Sequence, residues 1–401
     1  MGHVSRHRRR CVASRTEPQR SLKQSRLTMV DLRGGAARAT SPRVLYWRET
    51  TDAQPFETGI QRVTRQLADG LVRRGVDLVP VGWDAGRRLL RLPKPLQGEL
   101  AADWLLLPEI PMSLLSEGLD PIQLARAYGL RSAAIVHDLI PVRLSHLYDV
   151  DAQALYRRYF RMFANTDLVF ATTDLVAGHL RTHLRTEGLT VPPIVVVPLP
   201  GQFAHTPRVQ EPPVTRRPSD PLQLLTVATW EPRKNLPRLL RGVRLAQDRS
   251  GLQIHLTLVG RRDGYPEHDA EIEAFLTTIP GATARDRADD RELAELYEAS
   301  HASVYPSCDE GFGMPVLESL WLGRPCVCHA GSAMAEVAPG GGTMMIDMAD
   351  DAAIADALMR LVTKPSLLDR LTVEALARPL RTWAEYTADV ASRLQLASGL
   401  V

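Results

Sequence analysis

The chain has 401 residues, 44% hydrophobic and 24% charged, with a formal net charge of +3. One hydrophobic core usually serves no more than about 250 to 300 residues, so two domains are expected. The composition excludes a wholly disordered or fibrous chain. No run approaches the roughly 18 apolar residues of a membrane span, and no signal-peptide stretch follows the first methionine, so the sequence reads as a soluble intracellular protein.

The charge is unevenly placed. Residues 1–40 hold ten Lys or Arg against two acids, leaving 39 basic against 44 acidic residues in the rest. This leader lacks apolar periodicity and is expected to be disordered, either a solvated tail or an upstream extension with Met29 as the true start. Arginine clusters attract polyanions without defining a partner, and no nucleic-acid partner is expected. The cysteines Cys11, Cys308, Cys326 and Cys328 have no metal-ligand spacing and read as reduced thiols.

From residue 43 short apolar runs alternate with amphipathic segments. RVLYW at 43–47 reads as a strand; GIQRVTRQLADGLVRRG follows as a helix with Ile60, Val63, Leu67 and Leu71 on one face and Gly75 at its stop. Further strands are expected at 76–82, 103–108, 132–138, 167–172 and 194–198, with helices in ALYRRYFRMF and LVAGHLRTHL. Such alternation predicts a parallel sheet covered on both faces. Residues 199–221 hold six prolines and read as a linker. Strands then resume at 222–228, 254–260, 302–306, 325–329 and 343–347, with helices in NLPRLLRGVRLA, RELAELYEAS and MPVLESLWLG. The expected organisation is a leader (1–40), a doubly wound domain (41–200), a linker (201–221) and a second doubly wound domain (222–401), whose last helix could return to the first. A ligand cleft is expected between the domains, at the carboxyl ends of the strands.

Two stretches of the second domain carry candidate chemistry. In TWEPRKNLPRLLRGV, Arg233 and Lys234 fall between a strand and a helix N-terminus, which attracts anions, and Asn235 is placed to cap that helix. Two adjacent cations there suit a diphosphate, although solvated loop charges would look the same. In DEGFGMPVLESLWLG, Gly311 and Gly313 allow close backbone approach, and the N–H groups of Phe312, Gly313 and Met314 could cradle phosphate oxygens. Glu310 falls on the loop facing the cleft. Glu318 lies about a turn into the helix, at a depth suited to a ribose diol. In the first domain, His137 ends a strand, and Asp138 could orient it or cap the next turn. The Asp pairs at 289 and 350 precede helices and read as caps, not as a metal site.

Together these motifs resemble glycosyltransferase family 4, retaining enzymes of the GT-B fold. The resemblance runs through PRKNLPRLL, DRELAELYEASHASVYPSCDEGFGMPVLESLWLGRPCV, Glu336 in SAMAEV, and RTWAEYTADVA, and more weakly through TGIQRV and HDLIP. It implies that Lys234 and Arg233 bind the diphosphate, Glu318 the ribose and Glu310 the donor sugar. Gly59 would admit backbone to the phosphates, and His137 would face the transferred sugar. Where many members carry an arginine five positions before the lysine, this chain has Thr229, so Arg233 would substitute.

The resemblance further implies a hexose donor, GDP-mannose or a UDP-sugar, used without metal or other cofactor. The acceptor would be a glycan or a lipid-linked molecule of cell-surface polysaccharide synthesis, chosen by loops such as residues 82–100. Cytoplasmic location, with peripheral contact at the inner membrane face, fits that role. Rival readings are a nucleotide-sugar epimerase of the same fold and a non-catalytic binding protein.

Overall fold

The computed structural model describes residues 43–54, 58–86, 89–91, 102–212, 217, 220–251 and 253–397. The basic leader, Cys11, Met29 and most of the 82–100 loop lie outside the described residues.

Two sheets organise the chain. The first has the order β3-β2-β1-β4-β5-β6-β7, formed by β1 (Arg43–Trp47), β2 (Asp77–Asp84), β3 (Leu89–Arg91), β4 (Trp104–Leu107), β5 (Arg131–Val136), β6 (Leu168–Ala171) and β7 (Ile194–Val196). All its pairings are parallel except the antiparallel β2–β3 pair. The second is wholly parallel, in the order β10-β9-β8-β11-β12-β13. Its strands are β8 (Leu222–Val227), β9 (Ile254–Val259), β10 (Ala282–Arg285), β11 (Ala302–Tyr305), β12 (Cys326–His329) and β13 (Thr343–Ile346). In each sheet the order reverses beside the first strand, at β1–β4 and at β8–β11, and such switch points open a crevice at the strand carboxyl ends.

The two-residue period of a strand explains the unbroken apolar runs. In β1, Val44 and Tyr46 join one core, whereas Leu45 and Trp47 join another on the opposite face. Helix α1 (Gly59–Arg73) covers the first face with Val63, Leu67 and Leu71. It starts at a capping box between Thr58 and Gln61, and Gly75, at φ +78°, lies just beyond its end. Helices α2 (Val150–Met162) and α3 (Asp174–Thr186) cover the other face through Tyr159, Phe160, Val176 and Leu180. In the second sheet, α4 (Leu236–Ser250) buries Leu236, Leu239, Leu240 and Val243, and α5 (Asp290–Ala299) buries Leu293 and Tyr297. The carboxylates of Asp289 and Asp350 cap helix N-termini.

The halves share a core. Phe312, Met314, Leu317 and Leu320, from α6 (Met314–Trp321) and the turn before it, pack in the same cluster as Val44 and Val63. The last helix, α7 (Trp383–Ala397), returns to α1 and buries Trp383, Tyr386, Val390 and Leu394 in that cluster. Its approach is close enough that a Cβ on Gly70 would lie 2.3 Å from Thr387 Oγ1. The proline-rich stretch is packed at its start, whereas Gln210, Glu211 and Pro212 are exposed. Leu199, Phe203 and Ala204 are buried, Gly201 N–H donates to the Arg381 carbonyl at 3.0 Å, and Val209 N–H donates to the Trp321 carbonyl at 3.1 Å. Among the described residues no helix is long and apolar enough to cross a membrane.

Candidate active site in the cleft

A cavity of about 1010 Å³ opens where the carboxyl ends of the two sheets meet. It is lined by Gly59, His137, Arg233, Lys234, Glu310, Gly311, Phe312, Gly313, Met314 and Glu318, so every candidate residue reaches one space.

At its centre lies the Glu310 carboxylate. Oε1 accepts from Lys234 Nζ at 2.5 Å, Tyr305 Oη at 2.7 Å and Ser307 Oγ at 2.7 Å, and lies 2.9 Å from Arg233 Nη1. Burial alone would raise its pKa, but Arg233 and Lys234 outweigh burial and hold the carboxyl well below the usual range. Burial and the neighbouring Arg233 in turn pull the Lys234 pKa down, against the attraction of Glu310 and Glu231. Arg233 also bonds Glu231 through Nε at 2.7 Å. Two cations and two carboxylates thus compensate one another on the wall of the cavity, Lys234 being 8% exposed.

Local chain geometry places these groups. Pro232–Lys234 forms a single 3₁₀ turn, and Asn235 then enters α4 at φ +59°, a conformation asparagine tolerates. Asn235 does not cap the helix through its side chain; its amide donates to the carbonyls of Pro306 at 3.2 Å and Met348 at 2.7 Å, tying three loops together. Ser332 fixes the opposite loop, its Oγ accepting from Glu310 N–H at 2.9 Å. Thr229, which replaces the expected arginine, donates its hydroxyl to Glu231, while Arg233 reaches the same carboxylate as Lys234.

The two glycines answer different demands. A Cβ on Gly311 would lie 1.9 Å from the His137 carbonyl oxygen, so the close approach of the first half of the chain demands glycine there. The Gly311 carbonyl accepts from Thr172 Oγ1 at 2.9 Å. Gly313 has φ +90° and precedes α6, with Pro315 in the first turn. Gly59 has looser surroundings, its nearest neighbour being Met314 Sδ at 3.7 Å.

His137 is bonded to backbone, with Nε2 2.8 Å from the Pro108 carbonyl, which fixes the proton on Nε2 and leaves Nδ1 for a ligand. Burial lowers its pKa, so the ring is neutral near pH 7. Asp138 caps the next turn by accepting from Ile140 N–H at 2.9 Å.

Glu318 is not a solvated helix acid. It is 5% exposed, and Oε1 accepts from Arg62 Nη1 at 2.9 Å across the cleft. Arg62 also binds Asp290 at 2.5 Å. Sequence reasoning missed this arginine, although it lies in the TGIQRV motif, because its partner is 256 positions away. Other bonds join the halves: Arg143 to Asp309 at 2.8 Å, and the Glu336 carboxylate to the N–H groups of Asp174 at 2.9 Å and Leu175 at 2.7 Å. Among the described residues no group of three or more His, Cys, Asp or Glu could hold a metal ion.

Two doubly wound sheets facing across a charged cleft define the GT-B architecture. Residues 221–364 match the family model described as Glycosyl transferases group 1. O-antigen chain mannosyltransferase B of Escherichia coli is 28% identical over 173 residues, 43% of this chain and 45% of that one. A D-inositol 3-phosphate glycosyltransferase of Stackebrandtia nassauensis is 28% identical over 281 residues, 66% of this chain and 62% of that one. This chain therefore spans less than two thirds of either relative. Among solved structures, sucrose-phosphate synthase from Thermosynechococcus elongatus superimposes with TM-score 0.65 at 19% identity, covering 89% of this chain and 99% of that one. Anabaena HepE in complex with UDP and glucose gives 0.64 at 14%, covering 88% and 100%. The fold is thus that of the GT-B structures, and residues 221–364 are similar to the group 1 glycosyltransferases.

Proposed function

We propose that the protein is a retaining glycosyltransferase that moves a hexose from a nucleoside diphosphate sugar to a glycan or lipid-linked acceptor in cell-surface polysaccharide synthesis. The observation that carries this is the buried cluster of Arg233, Lys234 and Glu310 in the cleft, beside the turn that enters α6. The O-antigen mannosyltransferase similarity favours mannose from GDP-mannose, with a UDP-sugar second.

In the proposed reaction the bond from sugar C1 to the diphosphate oxygen breaks, and a bond from the acceptor oxygen to C1 forms on the same face. The acceptor proton passes to the departing diphosphate. Arg233, Lys234 and the backbone N–H groups of Phe312, Gly313 and Met314 meet the charge that develops on that diphosphate, without metal or further cofactor. Charge met only in the transition state lowers the barrier, and loss of one such donor typically costs about 2.7 to 4 kcal/mol. Glu310 orients the donor sugar, Glu318 holds the ribose diol in competition with Arg62, Gly59 leaves room for the phosphates, and neutral His137 offers Nδ1 to the transferred sugar.

The test is a thermal-shift panel of GDP, UDP and their sugars, followed by transfer assays with the stabilising donor and determination of the product anomer. Stabilisation by one nucleoside diphosphate, lost in Lys234→Ala, is the expected result. Absence of a shift with every nucleotide, or an inverted product, would overturn the proposal.

A further inference from the structure

One end of the cleft is walled by tyrosine. Tyr148 and Tyr156 come from the first half, on the turn before α2 and on α2 itself, and Tyr265 faces them from the segment after β9. All three line the cavity and are half-buried, although the chain has only nine tyrosines. The rings of Tyr148 and Tyr156 meet edge to face, with centroids 5.4 Å apart. None of the three hydroxyls has a hydrogen-bond partner among the described residues. Burial raises the pKa of each, so each keeps its proton. Half-buried phenols without partners leave hydrogen-bonding capacity directed at whatever enters.

The charges at this end are already matched. Asp263 is held by Arg261 at 2.5 Å and Glu231 by Arg233 at 2.7 Å. An anionic group arriving here would have to break an arginine–carboxylate pair and then face the released carboxylate, an arrangement that disfavours it strongly. A pyranoside meets no such obstacle. Its C–H face packs on an aromatic ring, and its hydroxyls can both donate to carboxylate oxygens and exchange hydrogen bonds with phenols.

We infer that Tyr148, Tyr156 and Tyr265 form the acceptor subsite and that it takes an uncharged pyranoside rather than a phosphorylated acceptor. The inference rests on the glycosyl-transfer reading, since an acceptor subsite requires a donor beside it. The wall adjoins that donor region, Arg233 being shared between the Glu231 pair and the Glu310 cluster.

Saturation-transfer NMR on the full chain, with whichever of GDP or UDP raises its melting temperature, tests this with two probes: methyl α-D-mannopyranoside and D-inositol 3-phosphate. Saturation should reach the ring protons of the mannoside and not those of the inositol phosphate. Mannoside affinity should fall at least tenfold, about 1.4 kcal/mol, in Tyr156→Ala and Tyr148→Ala, with the diphosphate thermal shift retained. Tyr156→Phe should keep most of the affinity through the ring. Tyr265→Ala, on the opposite wall, should weaken binding equally and supplies an independent variant if the α2 changes disturb folding. Unchanged mannoside binding in the alanine variants, preference for the inositol phosphate, or binding of neither probe would overturn the inference. Failure of the glycosyl-transfer reading is separately visible as no diphosphate shift in the unaltered protein.

Discussion

Replacing Glu310 by Gln removes one negative charge from a buried cluster and leaves Arg233 and Lys234 with Glu231 and the field of Asp138. Breaking a buried ion pair by deleting one partner typically costs about 3 to 5 kcal/mol, because the remaining charge stays desolvated. At roughly 2 to 4 °C per kcal/mol for a domain of this size, melting should fall by roughly 6 to 20 °C at pH 7. The pH dependence should change at both ends. The Glu310 pKa is depressed in the folded chain, so its contribution is present above the unfolded value of about 4.3 and is lost as pH falls; Glu310→Gln lacks this acid-side loss. The Lys234 pKa is also lowered by folding, and an unfolded chain that binds more protons makes stability rise with pH. Without its counter-ion that effect grows, so the variant should regain stability as pH rises toward the unfolded lysine value of about 10.4. A diphosphate would supply the missing anions, so GDP or UDP should raise the melting temperature of the variant by more than that of the parent, while transfer is lost. Calorimetry across pH, with and without nucleotide, reads all of this. A variant as stable as the parent at pH 7, with a nucleotide response no larger, would refute the charge-compensation reasoning.

Arg62→Ala should destabilise the chain by about 3 to 5 kcal/mol, since Glu318 would be left buried without its guanidinium. Adding Glu318→Gln should recover part of that loss, and a double-mutant cycle in denaturant gives the coupling energy. Gly311→Ala should force the halves apart, because backbone at His137 cannot yield to a Cβ 1.9 Å away; small-angle scattering should show a larger radius of gyration, and donor affinity should fall.

The legible parts of this molecule are those where one short stretch carries its own evidence. β1 could be read because both its faces are buried, and α1 because Val63, Leu67 and Leu71 recur at helical spacing above a glycine stop. Helix Pro266–Thr278 escaped notice for the opposite reason: Ile272 is its one fully buried residue, so no apolar stripe marks it. Edge strand β10 is polar and exposed over most of its length and leaves no trace in hydropathy. At the site, Arg233, Lys234, Glu310 and Glu318 were visible because helix N-termini and glycine turns flank them. Their partners were not: Arg62 meets Glu318 256 positions away, and Tyr305, near Glu310 in sequence, also meets Lys234 71 positions away.

Gly311 carries a packing demand that its own stretch of sequence does not show. The sequence suggests a glycine that admits a phosphate, whereas in the structure the missing Cβ admits the His137 carbonyl. The two demands are linked, since the same contact that seats Gly311 against the first half also sets where the N–H groups of Phe312, Gly313 and Met314 stand relative to Arg233 and Lys234. A side chain at 311 would therefore disturb any donor site indirectly, by displacing one wall of the cleft. Alanine substitutions of Lys234 and Gly311 should separate accordingly: the first lowers diphosphate affinity with the halves still closed, and the second lowers it only as far as the halves have moved apart.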